Sequence, residues 1–426
     1  MNYTPSFYNI VIEEDANNIF LYNSYSGALI KLERSVYETI SKGFVDDSDP
    51  CPYFDELFKQ GFLKPADLNE YNKILMSEKR AIHDSSGRKL TFVIAPTLQC
   101  NLNCKYCFEE DIRCNKTMTE KTWEQTISFL SKYVKPETQN VHITWFGGEP
   151  LLEIDKILKF SEIFIPNMEK RNIKFESSIT TNGTLLTRET LHNLIEKCNL
   201  RRAQITMDGT EDNYCRKKGA TREQYLSVLD NIKYAAQYIP VSIRLNCDKN
   251  NFEDIKILTK EILNLCNFNK NIIFYLAKLV NYNPLASEAV FYTQEEFDAK
   301  NIEFQKYVST LQGMDFKPKL PKYRRNFCGL FKLKNFAVGP DGELYKCEHW
   351  IGRKEKVIGT VNDGIYYTDE MLDFLNSPMN EQCRKCKTFP LCIGGCPAQR
   401  KELLNGENCF FSEEYVKELV KAYVIN

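Results

Sequence analysis

The run Leu90-Thr-Phe-Val-Ile-Ala95-Pro-Thr-Leu-Gln-Cys100-Asn-Leu-Asn-Cys104-Lys-Tyr106-Cys107 decides the reading of this chain. Its first half is an apolar segment of strand length. Its second half spells C-x3-C-x2-C, so the strand leads straight into a cysteine loop. Three closely spaced thiolates can hold three irons of a [4Fe–4S] cube and leave the fourth iron open to a small molecule. A structural zinc site would close all four positions. An open iron beside a strand end points to cluster chemistry on a bound cofactor.

Working outward, apolar segments recur at Val141 to Phe146, Ile173 to Thr180, Ala203 to Met207, Val241 to Leu245 and Asn271 to Ala277. Helical patterns separate them; Phe252, Ile255, Leu258 and Ile262 form one such stripe. Alternating strands and helices predict a parallel sheet. Six units over residues 87–280 predict a partial (β/α)6 barrel whose strand C-terminal ends carry the chemistry. Gly147-Gly148-Glu149-Pro150 follows the second strand, Thr180-Thr181-Asn182-Gly183 the third, and Asp208-Gly209 the fourth, with Arg216 seven residues on. Paired glycines admit close backbone approach, an Asn-Gly pair makes a turn, and a guanidinium suits bidentate pairing with a carboxylate.

The cysteine loop together with these turns resembles the radical SAM superfamily. The resemblance implies that Cys100, Cys104 and Cys107 hold a [4Fe–4S] cluster whose open iron chelates S-adenosylmethionine. It implies that one electron cleaves the sulfonium, giving a 5′-deoxyadenosyl radical that abstracts a substrate hydrogen. Tyr106 then lies by the adenine. Gly147, Gly148, Glu149 and Pro150 meet the methionine amino group, Thr181 and Asn182 the ribose or carboxylate, and Arg216 the carboxylate.

A second cysteine group reads Cys328-x13-Gly342-x4-Cys347, then Cys383-x2-Cys386-x5-Cys392-x3-Cys396, then Cys409. Seven thiolates exceed one four-ligand site. The pattern resembles the SPASM extension of radical SAM peptide-modifying enzymes, which carries two auxiliary [4Fe–4S] clusters. The resemblance assigns Cys383, Cys386, Cys392 and Cys409 to the distal cluster and Cys328, Cys347 and Cys396 to the nearer one, for three clusters in all. Some family members have an eighth cysteine just before the residue matching Cys328. Residues 321–327 contain none, which leaves the nearer cluster with an open iron unless Cys266 or another side chain fills it. A substrate thiol could bind there as the thiolate, losing its proton. Glu348 follows Cys347 where sulfatase activators place an acidic base, and His349 beside it is of a type that titrates near neutrality.

Residues 1–86 read as a separate domain. Tyr8 to Glu13, Ile19 to Asn23 and Ala28 to Leu32 predict a three-stranded meander, and Ser35 to Ser41 and Tyr53 to Gln60 predict short helices. The composition is winged-helix-like. With 14 acidic residues against 8 basic, the segment lacks the positive surface that phosphates require. It resembles the precursor-recognition domain of ribosomal peptide maturases, in which a leader peptide adds a strand to a sheet edge. Residues 281–320 form a charged bridging region, and residues 321–426 the cysteine-rich SPASM domain and a terminal helix from Ser412 to Val424.

The chain has 426 residues, a formal net charge of −1 and 16 cysteines. Bulk charge gives no sign of nucleic-acid binding, no apolar run reaches membrane-spanning length, and no secretory signal pattern opens the chain. A reduced, cytoplasmic protein is expected, with its cysteines serving metal or catalysis. Six cysteines fall outside the two groups (Cys51, Cys114, Cys198, Cys215, Cys247 and Cys266) and read mainly as small buried hydrophobes. The expected activity is maturation of a ribosomal precursor peptide through a radical cross-link, a cysteine thioether first, with flavodoxin or ferredoxin as external electron donor. Carbon–carbon or ether cross-linking and sulfatase-type formylglycine formation are the alternatives; a non-enzymatic iron–sulfur carrier would not need the two glycine turns.

Overall fold

The computed structural model describes residues 2–43, 45–46, 53–83, 87–279, 291–402 and 409–425. Cys51 and the start of the bridging region lie outside these residues. The chain forms two compact units. One comprises Met1–His83, Thr293–Phe331 and Asn376–Asn426; the other comprises Asp84–Tyr292 and Lys332–Leu375.

In the first unit, β1 (Asn2–Pro5), β5 (Val45–Asp46) and β6 (Leu63–Pro65) make one small antiparallel sheet. The strands β2 (Asn9–Glu13), β3 (Asn18–Asn23) and β4 (Leu29–Glu33) make the expected meander. Helices Arg34–Ser41, Phe54–Lys59 and Glu70–His83 follow. Period-2 alternation makes the meander apolar on both faces. Ile19, Leu21 and Leu32 pack with Val36, Ile40, Leu57 and Phe62 of the same segment. Ile10, Ile12 and Tyr22 on the opposite face pack with Leu391, Val416 and Val420. The last two belong to the terminal helix Glu413–Ile425.

The N-terminal segment therefore closes one core by itself and shares a second with distant segments. The break at residue 83 falls near the sequence boundary at 86, but half of the meander is covered by residues more than 350 positions away. Fully burying one Ile or Leu contributes roughly 1.5–3 kcal/mol, so the second face binds distant segments into one unit. The bridging helix Gln294–Leu311 also belongs here, started by a capping box between Thr293 and Glu296. The cysteine-rich region is divided in turn, because residues 332–375 go with the other unit.

In the second unit, β7 (Lys89–Ile94), β8 (Asn140–Trp145), β9 (Lys174–Thr181), β10 (Leu200–Met207), β11 (Val241–Cys247) and β12 (Ile272–Lys278) pair in parallel in chain order. Helices lie between them, and three of these begin at a threonine whose hydroxyl accepts from a first-turn amide: Thr119, Thr187 and Thr221. Such caps satisfy otherwise unpaired N–H groups. On β8, Val141, Ile143 and Trp145 are buried, with Trp145 edge-on to Phe160.

The alternate residues form a polar face. His142, Ser178, Gln204, Arg244, Asn246 and Tyr275 fall on it by strand register. There, His142 Nε2 lies 2.9 Å from Ser178 Oγ, and the Tyr275 hydroxyl donates to Gln204 Oε1 at 2.7 Å.

The sheet extends past the six expected strands. β13 (Phe336–Val338) pairs parallel to β7, and β14 (Glu343–Tyr345), β15 (Gly359–Thr360) and β16 (Gly364–Ile365) continue antiparallel, for ten strands. Strands of two or three residues carry no periodicity to read; the otherwise open edge of β7 is what orders them.

Candidate functional site

Every motif after β7 to β10 sits at a strand C-terminal end, and each is tied to the cysteine loop. Gly148 N–H donates to Thr97 O at 3.1 Å and Glu149 N–H to Gln99 O at 2.7 Å. The glycines are required by packing. Gly147 has φ +115°, and a Cβ there would lie 2.4 Å from Thr97 O; at Gly148 it would lie 2.1 Å from Gln99 O. The two glycines let the turn lie flat on the backbone leading into Cys100.

Glu149 is fully buried. Its carboxylate accepts from Leu151 N–H (3.1 Å), Thr181 Oγ1 (2.8 Å) and Asn182 N–H (2.8 Å). Burial pushes the carboxyl up to about 7 against those three hydrogen bonds. Glu149 thus locks the turn after β8 to the turn after β9. Pro150 is buried at the start of the short 3-10 turn that follows. Asn182 Nδ2 donates to Asn101 Oδ1 at 2.7 Å and lies 3.8 Å from Cys100 Sγ. One continuous network therefore joins the Cys loop, the GGEP turn and the TNG turn.

The three thiols form a group, since Cys104 acts electrostatically on both Cys100 and Cys107. Burial raises Cys100 to about 11 and Cys107 to about 12, and raises Cys104 too. Such thiols ionise when a metal ion draws off the proton.

Behind them lies a buried polar knot that the sequence did not single out. Lys218 is 2% exposed, with Nζ 3.4 Å from Asp208 Oδ2. The Tyr106 hydroxyl donates to the same Asp208 oxygen and accepts from Asn246 Nδ2 at 3.3 Å. Burial, then the Asp208 charge, holds the Tyr106 phenol well above its ordinary value. Lys218 and Asp208 also act on Cys104. Arg216, in the same helix Glu211–Lys218, is exposed and donates to Asn213 Oδ1 at 2.6 Å. The cation brought to the cysteine loop is Lys218. The i, i+2 offset on a helix turns two residues to different faces, and the signal available in the sequence was only that Lys218 ends the helix before Gly219.

Glu348 and His349 form a 3-10 turn after Cys347. Both are half-buried rather than on a solvated loop. His349 stacks on Phe108 of the cysteine loop, with ring centroids 4.3 Å apart. Burial, then Arg244 and Arg353, pushes its imidazole down to about 4. It is therefore neutral at physiological pH, contrary to the expectation of titration near neutrality. Burial raises the Glu348 carboxyl, and Arg244 partly offsets that.

Four thiols of the second group lie in the first unit and act on one another electrostatically. Cys392 senses Cys386, Cys383 and Cys409; Cys383 senses Cys386 and Cys409; and Cys409 senses Cys386. Of the other three, Cys328 and Cys396 belong to the first unit and Cys347 to the second. Cys266 is buried at the end of helix Phe252–Leu265, before β12, which is the N-terminal end of the sheet and opposite the cysteine loop. Cys198 and Cys247 are buried as well, while Cys114 is exposed and Cys215 half-buried.

Residues 94–262 match the profile of the radical SAM superfamily. These residues form a radical SAM domain. It spans β8 to β11 and the turns that follow β7 to β10. A radical SAM cyclopropyl synthase, TigE, from Paramaledivibacter caminithermalis is 26% identical over 211 residues, 43% of this chain and 44% of that protein. The match thus spans less than half of that relative's length. A cysteine-type anaerobic sulfatase-maturating enzyme from Clostridium novyi is 24% identical over 360 residues, 75% of this chain and 91% of that one. The crystal structure of Streptococcus suis SuiB bound to precursor peptide SuiA superimposes with a TM-score of 0.54 at 17% identity, covering 96% of this chain and 99% of that one. The fold is that of the radical SAM enzymes. No helix among the described residues is long and apolar enough to cross a membrane.

The residues fit the cofactors of this domain. By residue type, three cysteines of one loop, a tight glycine turn and a buried cation suit a [4Fe–4S] cluster and a zwitterionic sulfonium ligand, while among the described residues no three His, Cys, Asp or Glu side chains are grouped closely enough to hold a metal ion.

Proposed function

We propose that the protein is a peptide maturase that installs a cysteine thioether in a ribosomal precursor peptide. When bound, S-adenosylmethionine and its cluster supply a carbon radical able to remove a substrate hydrogen. Cys100, Cys104 and Cys107 hold the cluster, and Gly147, Gly148 and Thr181 shape the S-adenosylmethionine turn. Lys218 neutralises the buried Asp208 carboxylate behind the cysteine loop, and the exposed Arg216 makes no contact with that pair among the described residues. Tyr106, anchored through its hydroxyl to Asp208, offers its ring beside the cofactor.

The thioether reading is supported by the C-terminal thiols. Cys383, Cys386, Cys392 and Cys409 act on one another electrostatically, and the SPASM resemblance assigns them to one cluster. The SPASM resemblance assigns Cys328, Cys347 and Cys396 to a second cluster with an open iron, which would accept a substrate thiolate and take up the electron left when the C–S bond closes. Glu348, next to Cys347 in sequence, would receive the thiol proton; burial raises its carboxyl and Arg244 partly offsets that. Peptide recognition has support in the first unit, where a cavity of about 400 Å³ is lined by Phe7, Tyr8, Lys64, Glu70, Tyr71 and Arg384. A flavodoxin or ferredoxin would deliver the electron. The relationship to sulfatase-maturating enzymes keeps formylglycine formation as the second reading.

Incubation of the anaerobically reconstituted enzyme with S-adenosylmethionine, a reductant and the peptide encoded beside its gene tests this. The expected product has lost two hydrogens and one alkylatable thiol. A two-hydrogen loss with all thiols free moves the assignment to a carbon–carbon or ether bond. Conversion of a sulfatase-type cysteine peptide, with the neighbouring peptide untouched, replaces it with the second reading. Cys347→Ala is expected to keep S-adenosylmethionine cleavage within a few-fold of wild type while product formation falls to background, measured as deoxyadenosine and peptide mass in the same reaction. Normal product yield from this variant would reject a three-ligand cluster that takes part in bond formation.

A further inference from the structure

Tyr106 and Asp208 belong to a closed ring of hydrogen bonds whose other two members have no task in the scheme above. Asn246 lies near the C-terminal end of β11 and is 6% exposed. Asn251, in the turn that follows β11, is fully buried. Asn251 Nδ2 donates to Asp208 O and to Asn246 O, each at 2.9 Å, and Asn251 Oδ1 accepts from Asp248 N–H at 2.9 Å. Asn246 Nδ2 donates to the Tyr106 hydroxyl oxygen at 3.3 Å, and that hydroxyl donates to Asp208 Oδ2. The ring runs from Tyr106 through Asp208, Asn251 and Asn246 back to Tyr106. It ties the cysteine loop to the ends of β10 and β11.

Arg244 fixes the sense of the ring. Its Nε donates to Asn246 Oδ1 at 3.0 Å. A guanidinium carries donors and no acceptor, so the amide oxygen must face Arg244 and the amide NH2 must face Tyr106. The Tyr106 oxygen therefore accepts from Asn246, and its one hydrogen is directed at Asp208. Held on two sides, the hydroxyl has a single arrangement.

The members of the ring are spent on one another. Of its buried side-chain atoms, Asp208 Oδ1 alone lacks a partner among the described residues. The two amides and the phenol are used inside the ring, and buried polar networks rigidify what they hold.

We infer that Asn246 is a positioning residue: oriented by Arg244 and backed by Asn251, it holds the Tyr106 hydroxyl against Asp208 and so fixes the Tyr106 ring beside S-adenosylmethionine. The inference rests on the placement of Tyr106 beside that cofactor, and it is independent of which substrate is modified.

The test is a double-mutant cycle read by equilibrium dialysis of S-adenosylmethionine with the reconstituted holoenzyme. Asn246→Leu is expected to weaken the affinity about fivefold, the worth of one hydrogen bond. Tyr106→Phe keeps the ring and removes the hydroxyl. In that background Asn246→Leu should change the affinity by less than about twofold, because residues that act through one bond are not additive. Iron content stays at the wild-type level in all variants. A second readout needs no cofactor. Fluorotyrosine placed at position 106 of the unloaded protein should give one narrow fluorine NMR line, which broadens or splits in Asn246→Leu and is unaltered in Arg216→Ala.

An affinity loss of the same size in both backgrounds makes Asn246 merely structural and overturns the inference, as does an unchanged affinity in Asn246→Leu. If Asn246→Leu does not load iron, Asn246→Asp takes its place in the cycle. It keeps the shape and the acceptor for Arg244 and removes the N–H that faces Tyr106, and the same disappearance in Tyr106→Phe is required of it. Tyr106→Ala separates the two levels of the argument. Unchanged affinity there removes the placement of Tyr106 beside the cofactor, and the inference with it. Weakened affinity there, with Asn246→Leu unchanged, leaves the placement standing and overturns the role of Asn246 alone.

Discussion

Cys104→Ala is expected to abolish reductive cleavage of S-adenosylmethionine and, on the proposed count of three cubes, to remove about one third of the reconstituted iron. Cys104 is the middle member of the loop. It interacts with Cys100 on one side and Cys107 on the other, and with the Lys218–Asp208 pair behind it. An alanine there leaves two thiols, too few to hold a cube at the strand ends. The four thiols Cys383, Cys386, Cys392 and Cys409 belong to the other unit, so their cluster should load as before. Iron analysis, deoxyadenosine measurement and the spectrum of the reduced protein check all three parts. Cleavage that survives in Cys104→Ala would refute the assignment of this loop.

Lys218→Met is expected to be the most damaging single substitution outside the cysteines. It removes the cation from a pair in which both side chains are almost fully buried, 3% and 0% exposed. Breaking a buried pair from one side typically costs about 3–5 kcal/mol, because the remaining charge is left uncompensated. The remaining charge here is Asp208, whose second oxygen is buried with no partner among the described residues. For a unit of this size the melting temperature should fall by roughly 10 °C. S-adenosylmethionine affinity should also fall, since Asp208 orients Tyr106. Lys218→Arg keeps the charge and should recover part of both losses.

Arg216→Ala, two residues earlier on an exposed face, should stay within about 0.5 kcal/mol and bind S-adenosylmethionine normally. Calorimetry of the unloaded protein and equilibrium binding separate the two residues. A neutral Lys218→Met combined with an affinity loss in Arg216→Ala would reverse the assignment.

The six barrel strands were legible because each is a long apolar or alternating run next to a turn with its own chemistry. The cysteine spacing and the GGEP and TNG turns could be read directly, since local sequence determines whether backbone can lie close to backbone. Other features depend on distant partners. Glu149 reads as a ligand-facing carboxylate, yet its oxygens are taken up by Leu151, Thr181 and Asn182. His349 reads as a titrating residue and is held neutral by burial and two arginines.

The linear domain boundaries show the same limit. Apolar periodicity in β2 and β3 predicts that both faces of the meander need cover, and residues 1–86 alone do not show what provides it. Leu391, Val416 and Val420 do so, and β13 to β16 join the barrel sheet because β7 leaves an edge to pair.

The sequence by itself determined the chemistry available to this protein: which thiols can hold iron, where backbone can approach a cofactor, and which segments alternate as strand and helix. These follow from residue type and short spacing. Only the tertiary structure decided which cation sits behind the cysteine loop and which segments share a core. Those are outcomes of burial and pairing between residues far apart in the chain, and burial sets whether a charged or polar group is spent on the fold or left for a ligand.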